Sequence, residues 1–353
     1  MRIVQKGIVM IEALKPHLAD IWLLHMGFFL LYYAVSDGLD LGVGMISLFS
    51  KSSRERATLM GSIRSNWHGN QSWLIILAGM LFGAFPTFYA IVFSALYIPI
   101  LIMLFGLVFR GVAFEFHDHS ERKRLWEISF GYGSLIVSIA QGLALGAILS
   151  GNITVENGHF TGGPWAWLNP FGLLVAAGVL IGYSMLGANY LLMKTAGELQ
   201  ERSYRIAWGT SIVTLLVSLS VHAWVAFRYP HVGERWTTYP WMLLIDGFSL
   251  LAAAAYIALL VCIKKRREVA PIFLNAAIVV FSFTALSIGL YPYMIPNASS
   301  DGVTVAELAA APETLMFMLY FSVVAVPVIL VYTSYEYWVY RGKTDAGLEE
   351  GVD

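Results

Sequence analysis

The chain has 353 residues, 58% of them hydrophobic and 13% charged, with a formal net charge of −1 and a mean hydropathy of +0.68. A soluble domain carries about 25% charged residues, so a soluble enzyme is excluded and a polytopic membrane protein is expected. The single cysteine, Cys262, excludes an intrachain disulfide and any cysteine-held cluster or zinc site; it fits a small packed apolar side chain.

Met1 to Asp20 is mixed and polar and lacks the apolar core of a cleaved signal peptide. Nine segments then reach the roughly 20 apolar residues that a spanning helix needs. They are approximately 18–49, 60–84, 86–114, 124–150, 170–195, 204–227, 240–263, 269–292 and 313–340. The expected fold is all-α, a single integral-membrane domain over residues 1–353 built as a bundle of nine transmembrane helices. The second and third segments form one run, divided at Pro86 because proline disfavours helix at the residue before it.

Five regions are rich in cations: Lys51 to Arg64, Arg122 to Arg124, Lys194 to Arg205, Lys264 to Arg267, and the tail with Arg341 and Lys343. With nine spans all five fall on one side, which cation bias assigns to the cytoplasm. The N-terminus is then outside and the C-terminus inside. Arg2, Lys6 and Lys15 argue weakly against this, and Arg228 and Arg235 are exceptions among the otherwise cation-poor opposite loops. Trp165, Trp167, Trp236, Tyr239 and Trp241 on those loops fit an interfacial aromatic belt. The basic loops are topological and no nucleic-acid partner is indicated.

The first span contains Ser36-Asp37-Gly38-Leu39-Asp40-Leu41-Gly42-Val43-Gly44. A central Asp costs roughly 2.5–3.5 kcal/mol on insertion scales. The three-residue spacing puts Asp37 and Asp40 on one helix face, and the glycines let a second helix backbone approach there. That face must meet protein or water. A structural role, capping a helix end or pairing with a loop arginine, stands beside a functional one.

The second span begins Asn66-Trp67-His68-Gly69-Asn70-Gln71-Ser72-Trp73, a polar run that must line a cavity or a protein contact. It shares the cytoplasmic half of the membrane with Asp37 and Asp40. His68 beside buried carboxylates suits a proton relay; alternatively it bonds a backbone carbonyl. The third span ends in Arg110, Glu115, His117, Asp118 and His119, read as a solvated loop with Arg110 and Glu115 as a loose pair. His117 and His119 point to different faces and make a poor metal site. Further intramembrane polar residues are Gln141, Asn189, Asp246 and Asn275. Gly142 with Gly146, and Gly178 with Gly182, fit close helix packing. His25 and His222 lie within spans but lack a paired spacing and read as hydrogen-bonding core residues, not haem ligands. No catalytic, cofactor-binding or metal-binding residue is assigned to this chain.

Asp37-Gly38-Leu39-Asp40-Leu41-Gly42-Val43-Gly44 resembles the first-helix signature of subunit II of cytochrome bd-type quinol oxidases. Trp67-His68-Gly69-Asn70-Gln71-Ser72-Trp73 resembles that family's Trp-Asp-Gly-Asn-Gln/Glu-x-Trp segment. Phe109 to Glu115, Asn169 to Leu174, Lys194 to Leu199, Tyr291-Pro292 and Pro327 to Thr333 match in order, so the resemblance covers nearly the whole chain.

The resemblance implies the haem-free partner of a heterodimer in a bacterial or archaeal cytoplasmic membrane. Subunit I would hold two haems b and one haem d. The complex would pass electrons from quinol to oxygen in aerobic respiration. Subunit II would stabilise subunit I and deliver cytoplasmic protons toward the oxygen site. The implied proton-path residues are Asp37, Asp40, Trp67, His68, Asn70 and Gln71, with Arg110, Glu115 and Gln141 secondary. A bound quinone or lipid and a small single-span accessory subunit also come with it. One departure stands out: His68 replaces the family's Asp. Either His68 keeps the relay, or the path relies on Asp37 and Asp40. The competing class is a secondary transporter that uses intramembrane Asp and His for ion coupling, against which stands the lack of visible repeat symmetry.

Overall fold

The computed structural model describes residues 14–297 and 302–344. Arg2 and Lys6, the start of the Met1 to Asp20 stretch and the extreme termini of the 1–353 domain lie outside the described residues.

The chain is a helical bundle with two small hairpins. Its helices are α1 (Leu18–Ser47), α2 (Ser53–Ile63), α3 (Trp67–Ala84), α4 (Pro86–Ala95), α5 (Tyr97–His117), α6 (Lys123–Leu149), α7 (Pro170–Lys194), α8 (Gly197–Arg228), α9 (Pro230–Arg235), α10 (Trp241–Lys264), α11 (Ala270–Leu290), α12 (Val305–Leu308) and α13 (Pro312–Val339). Strands β1 (Val155–Glu156) and β2 (His159–Phe160) pair antiparallel, as do β3 (Tyr293–Ile295) and β4 (Val303–Thr304). Among the described residues, eight helices are long and apolar enough to cross a membrane alone, and α3 with α4 reaches that length and apolarity only as a pair, bent by 120° as a broken span or a re-entrant loop.

Two span boundaries differ from the sequence reading. The segment 60–84 straddles α2, a short polar helix capped by the Ser52 side chain, and α3. The segment 86–114 divides at Leu96 into α4 and α5. Pro86 cannot donate a helical N–H and its ring opposes a helical residue before it; Phe85 accordingly leaves helical geometry. The break falls where Pro86 placed it, but the arm beyond folds back against β2 and α12, and the next crossing starts at Tyr97.

Helix α1 lies at the centre, packed on α3, α6 and α7. A Cβ on Gly42 would stand 1.9 Å from the Tyr183 carbonyl oxygen, and one on Gly187 2.5 Å from the Gly42 carbonyl carbon. The α1 and α7 backbones therefore touch, as the glycine spacing requires. Gly142 and Gly146 likewise meet Ala176 and Gly172 across α6 and α7. Gly182 does not fit that expectation, since nothing lies within 4 Å of its virtual Cβ.

The five cation-rich regions converge on one face. Arg56 pairs with Glu127 at 2.7 Å, Arg202 with Glu55, Arg266 with Glu201 at 3.0 Å and Lys343 with Glu268 at 3.0 Å. The opposite face is closed by different chemistry: Trp22 donates to the Leu315 carbonyl at 2.9 Å and Tyr229 to that of Leu149 at 2.7 Å. Arg235, an exception to the charge pattern, donates to the Ile288 carbonyl at 3.0 Å and stacks over Trp241.

Candidate functional site: a buried ionic cluster

Asp37 and Asp40 sit in the glycine-rich half of α1, both 0% exposed. Their shared face meets α5, which brings in Arg110, also 0% exposed. Its Nη1 lies 2.6 Å from Asp37 Oδ1, and its Nη2 donates to Asp40 Oδ2 at 3.3 Å. Asn70 of α3 donates to the same Asp40 oxygen at 2.9 Å, and the Tyr337 hydroxyl of α13 donates to Asn70 Oδ1 at 2.9 Å. On the far side of Asp37 stands Tyr33, whose hydroxyl accepts from Gln141; Tyr183 donates to Gln141 Oε1 at 2.9 Å.

Two carboxylates thus share one guanidinium. Asp37 Oδ2 and Asp40 Oδ1 are buried without a hydrogen-bond partner among the described residues. Burying an unpaired charge is costly, so a second charge neutraliser beside Arg110 fits this site: one more proton.

Arg110 corrects the sequence reading. It is no part of a solvated loop, because α5 continues through it to His117, and its partners are Asp37 and Asp40, not Glu115. The structural alternative for the Asp side chains expects a loop arginine; the arginine comes from a neighbouring helix instead. Glu115 instead lies 3.9 Å from His68 Nε2, both side chains 71% exposed. His68 therefore faces outward, its ring stacked on Trp67 at 3.6 Å, and does not enter the buried cluster. Trp67 is buried between His68 and Phe114. Gln71 makes none of the cluster's hydrogen bonds, and its Oε1 is buried without a partner among the described residues. His25 and His222 bond the Ile21 and Ser218 carbonyls one turn back.

Five residues at or near the cluster escaped the sequence reading: Tyr33, Tyr183, Tyr337, Glu336 and Glu127. Tyr337 and Glu336 come from α13 at its cation-rich end, Tyr337 through its bond to Asn70, with only their place in the last turn of an apolar helix as a signal. Glu127, 2% exposed, accepts from Ser53 at 2.8 Å and from Arg56, with His117 Nε2 at 3.6 Å. Just beyond α5, Asp118 receives both Nη groups of Arg64, which hold its carboxyl down at about 2.

This fold and this cluster define the class: a multi-pass helical membrane protein whose centre holds desolvated ionisable groups. The model of the family described as cytochrome bd terminal oxidase subunit II matches residues 18–340. The chain is 31% identical over 360 residues to cytochrome bd-I ubiquinol oxidase subunit 2 of Escherichia coli (strain K12), covering 92% of this chain and 94% of that protein. It is 28% identical over 340 residues to cytochrome bd ubiquinol oxidase subunit 2 of Bacillus subtilis (strain 168), covering 92% and 96%. The solved bd oxidase of Geobacillus thermodenitrificans shares the fold, with a TM-score of 0.72 at 16% identity over 91% of this chain and 97% of that one. The chain belongs to the cytochrome bd terminal oxidase subunit II family, and so is one subunit of an oxidoreductase complex.

Proposed function

We propose that this chain is the haem-free subunit II of a quinol:oxygen oxidoreductase in a bacterial or archaeal cytoplasmic membrane. It packs against and stabilises a subunit I that carries two haems b and one haem d, and it delivers cytoplasmic protons toward the site of oxygen reduction. Its N-terminus is outside and its C-terminus inside, by the cation bias of the loops. Quinol and oxygen are the substrates of the complex. A quinone or lipid against the exposed helix faces and a small single-span accessory subunit belong to the same reading.

One observation carries the proton role. Two fully buried carboxylates share a single guanidinium, so the set reaches neutrality only with one additional proton. Intramembrane acids of this kind mark proton relays. Arg110 keeps the negative charge tolerable, Asn70 orients Asp40, and Tyr33, Gln141 and Tyr183 form a separate hydrogen-bonded set beyond Asp37. Asp37 and Asp40 are the buried carriers in this scheme. The exposed position of His68 supports the path through the two acids over a relay through the imidazole.

The test is Asp40→Asn in the assembled heterodimer, followed by quinol-driven oxygen uptake and proton uptake. Both rates are expected to fall by about two orders of magnitude, the lower end of what a positioned proton-transfer group contributes, with haem content retained. Full rates at full haem content would make the cluster purely structural. His68→Ala in the same assay decides the imidazole's part; unchanged rates remove it from the path.

A further inference from the structure

Most acids on the cation-rich face have a counter-charge. Glu55 meets Arg202, Glu127 meets Arg56, Asp118 meets Arg64, Glu201 meets Arg266 and Glu268 meets Lys343. Glu336 is placed differently. It stands in the last turn of α13, and its carboxylate lodges against Gly69 of α3, where a Cβ would come within 2.8 Å of Oε2. That oxygen is buried and has no hydrogen-bond partner among the described residues, although the residue as a whole is only half-buried. One side of the group is therefore uncovered by this chain while the other reaches into the bundle.

The groups within electrostatic reach are His68 of α3 and, on α1, Tyr32 and Asp40. The residue next to Glu336, Tyr337, anchors the Asn70 amide that holds Asp40. Glu336 thus stands between the exposed cation-rich face and the Asp40 end of the buried cluster. An unpaired buried carboxylate oxygen is costly, and a proton on that oxygen relieves the cost. Such an oxygen suits temporary loading better than a permanent ion pair.

We propose that Glu336 takes protons from cytoplasmic water and passes them to Asp40. In the first step an O–H bond of hydronium breaks and one forms on the Glu336 carboxylate. In the second that O–H breaks, a proton crosses by hydroxyl or water hops, and an O–H forms on Asp40. Glu336 returns to the carboxylate and no electron moves. Gly69 is the notch that admits the carboxylate. This inference rests on the proton-delivery reading above.

The experiment compares Glu336→Gln, Glu336→Asp, Gly69→Ala and Asp40→Asn in the purified heterodimer reconstituted in vesicles. It follows haem reduction by quinol separately from proton uptake. Glu336→Gln is expected to slow proton uptake and oxygen consumption about tenfold or more, with haem content and the rate of haem reduction kept. Glu336→Asp retains most of the rate. Gly69→Ala, which displaces an intact carboxylate, slows proton uptake in the same direction by a smaller factor. Proton uptake within twofold of the parent in Glu336→Gln, with Asp40→Asn impaired, overturns the Glu336 proposal alone. Parent rates in both overturn the proton-delivery reading as well. If Glu336→Gln does not assemble, Gly69→Ala decides: an unchanged proton-uptake rate there overturns the proposal.

Discussion

Two arginines near the same end of α5 do the same chemistry in different solvents. Arg110 holds Asp37 and Asp40 with all three side chains 0% exposed, while Arg64 holds Asp118 with side chains 40% and 42% exposed. Coulomb attraction between adjacent charges is several times stronger where water is excluded, but so is the cost of losing a partner. Contact distance does not rank these pairs. Desolvation does: it raises the cost of breaking the Arg110 set, and leaves the Arg64 pair a weak clip between α2 and the end of α5.

The sharpest way to break the comparison is to remove Arg110. Arg110→Met leaves two buried carboxylates without a counter-charge, an expected loss of about 3–5 kcal/mol, read as loss of haem from the purified complex and a lower thermal midpoint. Adding Asp37→Asn and Asp40→Asn to that variant should recover part of the stability, because the uncompensated charge is gone. Intact stability in Arg110→Met would show that the cluster's charge is dispersed elsewhere.

A smaller effect is expected at the crossing that presents the acids to Arg110. Gly42→Ala puts a Cβ 1.9 Å from the Tyr183 carbonyl oxygen and forces α1 from α7, an overpacking cost of about 1–3 kcal/mol measured as a fall in thermal midpoint. A midpoint equal to the parent's would refute the backbone contact.

The smallest effect belongs to Arg64→Ala, at most about 1 kcal/mol for an exposed pair. Its pH dependence has a definite sign. Arg64 lowers the Asp118 carboxyl from 3.8 to about 2 in the folded chain, so the ionised form favours folding. The stabilisation is present above 3.8 and is lost as pH falls toward 2. The difference in thermal midpoint between parent and Arg64→Ala should therefore shrink over that window. A constant difference would mean that Arg64 acts through packing alone.

Local sequence signals were enough to recognise the class. Apolar runs, the charge bias of the loops and the glycines around Asp37 and Asp40 identified a membrane bundle with a polar seam on its first helix, and the motifs pointed to the family. These are local signals, because bilayer thickness and the cost of a buried charge act on each segment separately. Tertiary structure decided the partners. In helices where nearly every residue is apolar, periodicity does not say which face meets which neighbour. Nothing local marked Arg110 as interior and His68 as exposed, or tied Glu336 and Tyr337 to α3 across more than 250 residues of chain. The fold-back of α4 after Pro86 was undecided for the same reason: proline breaks a helix, but only the packing around it sets the direction of the next segment.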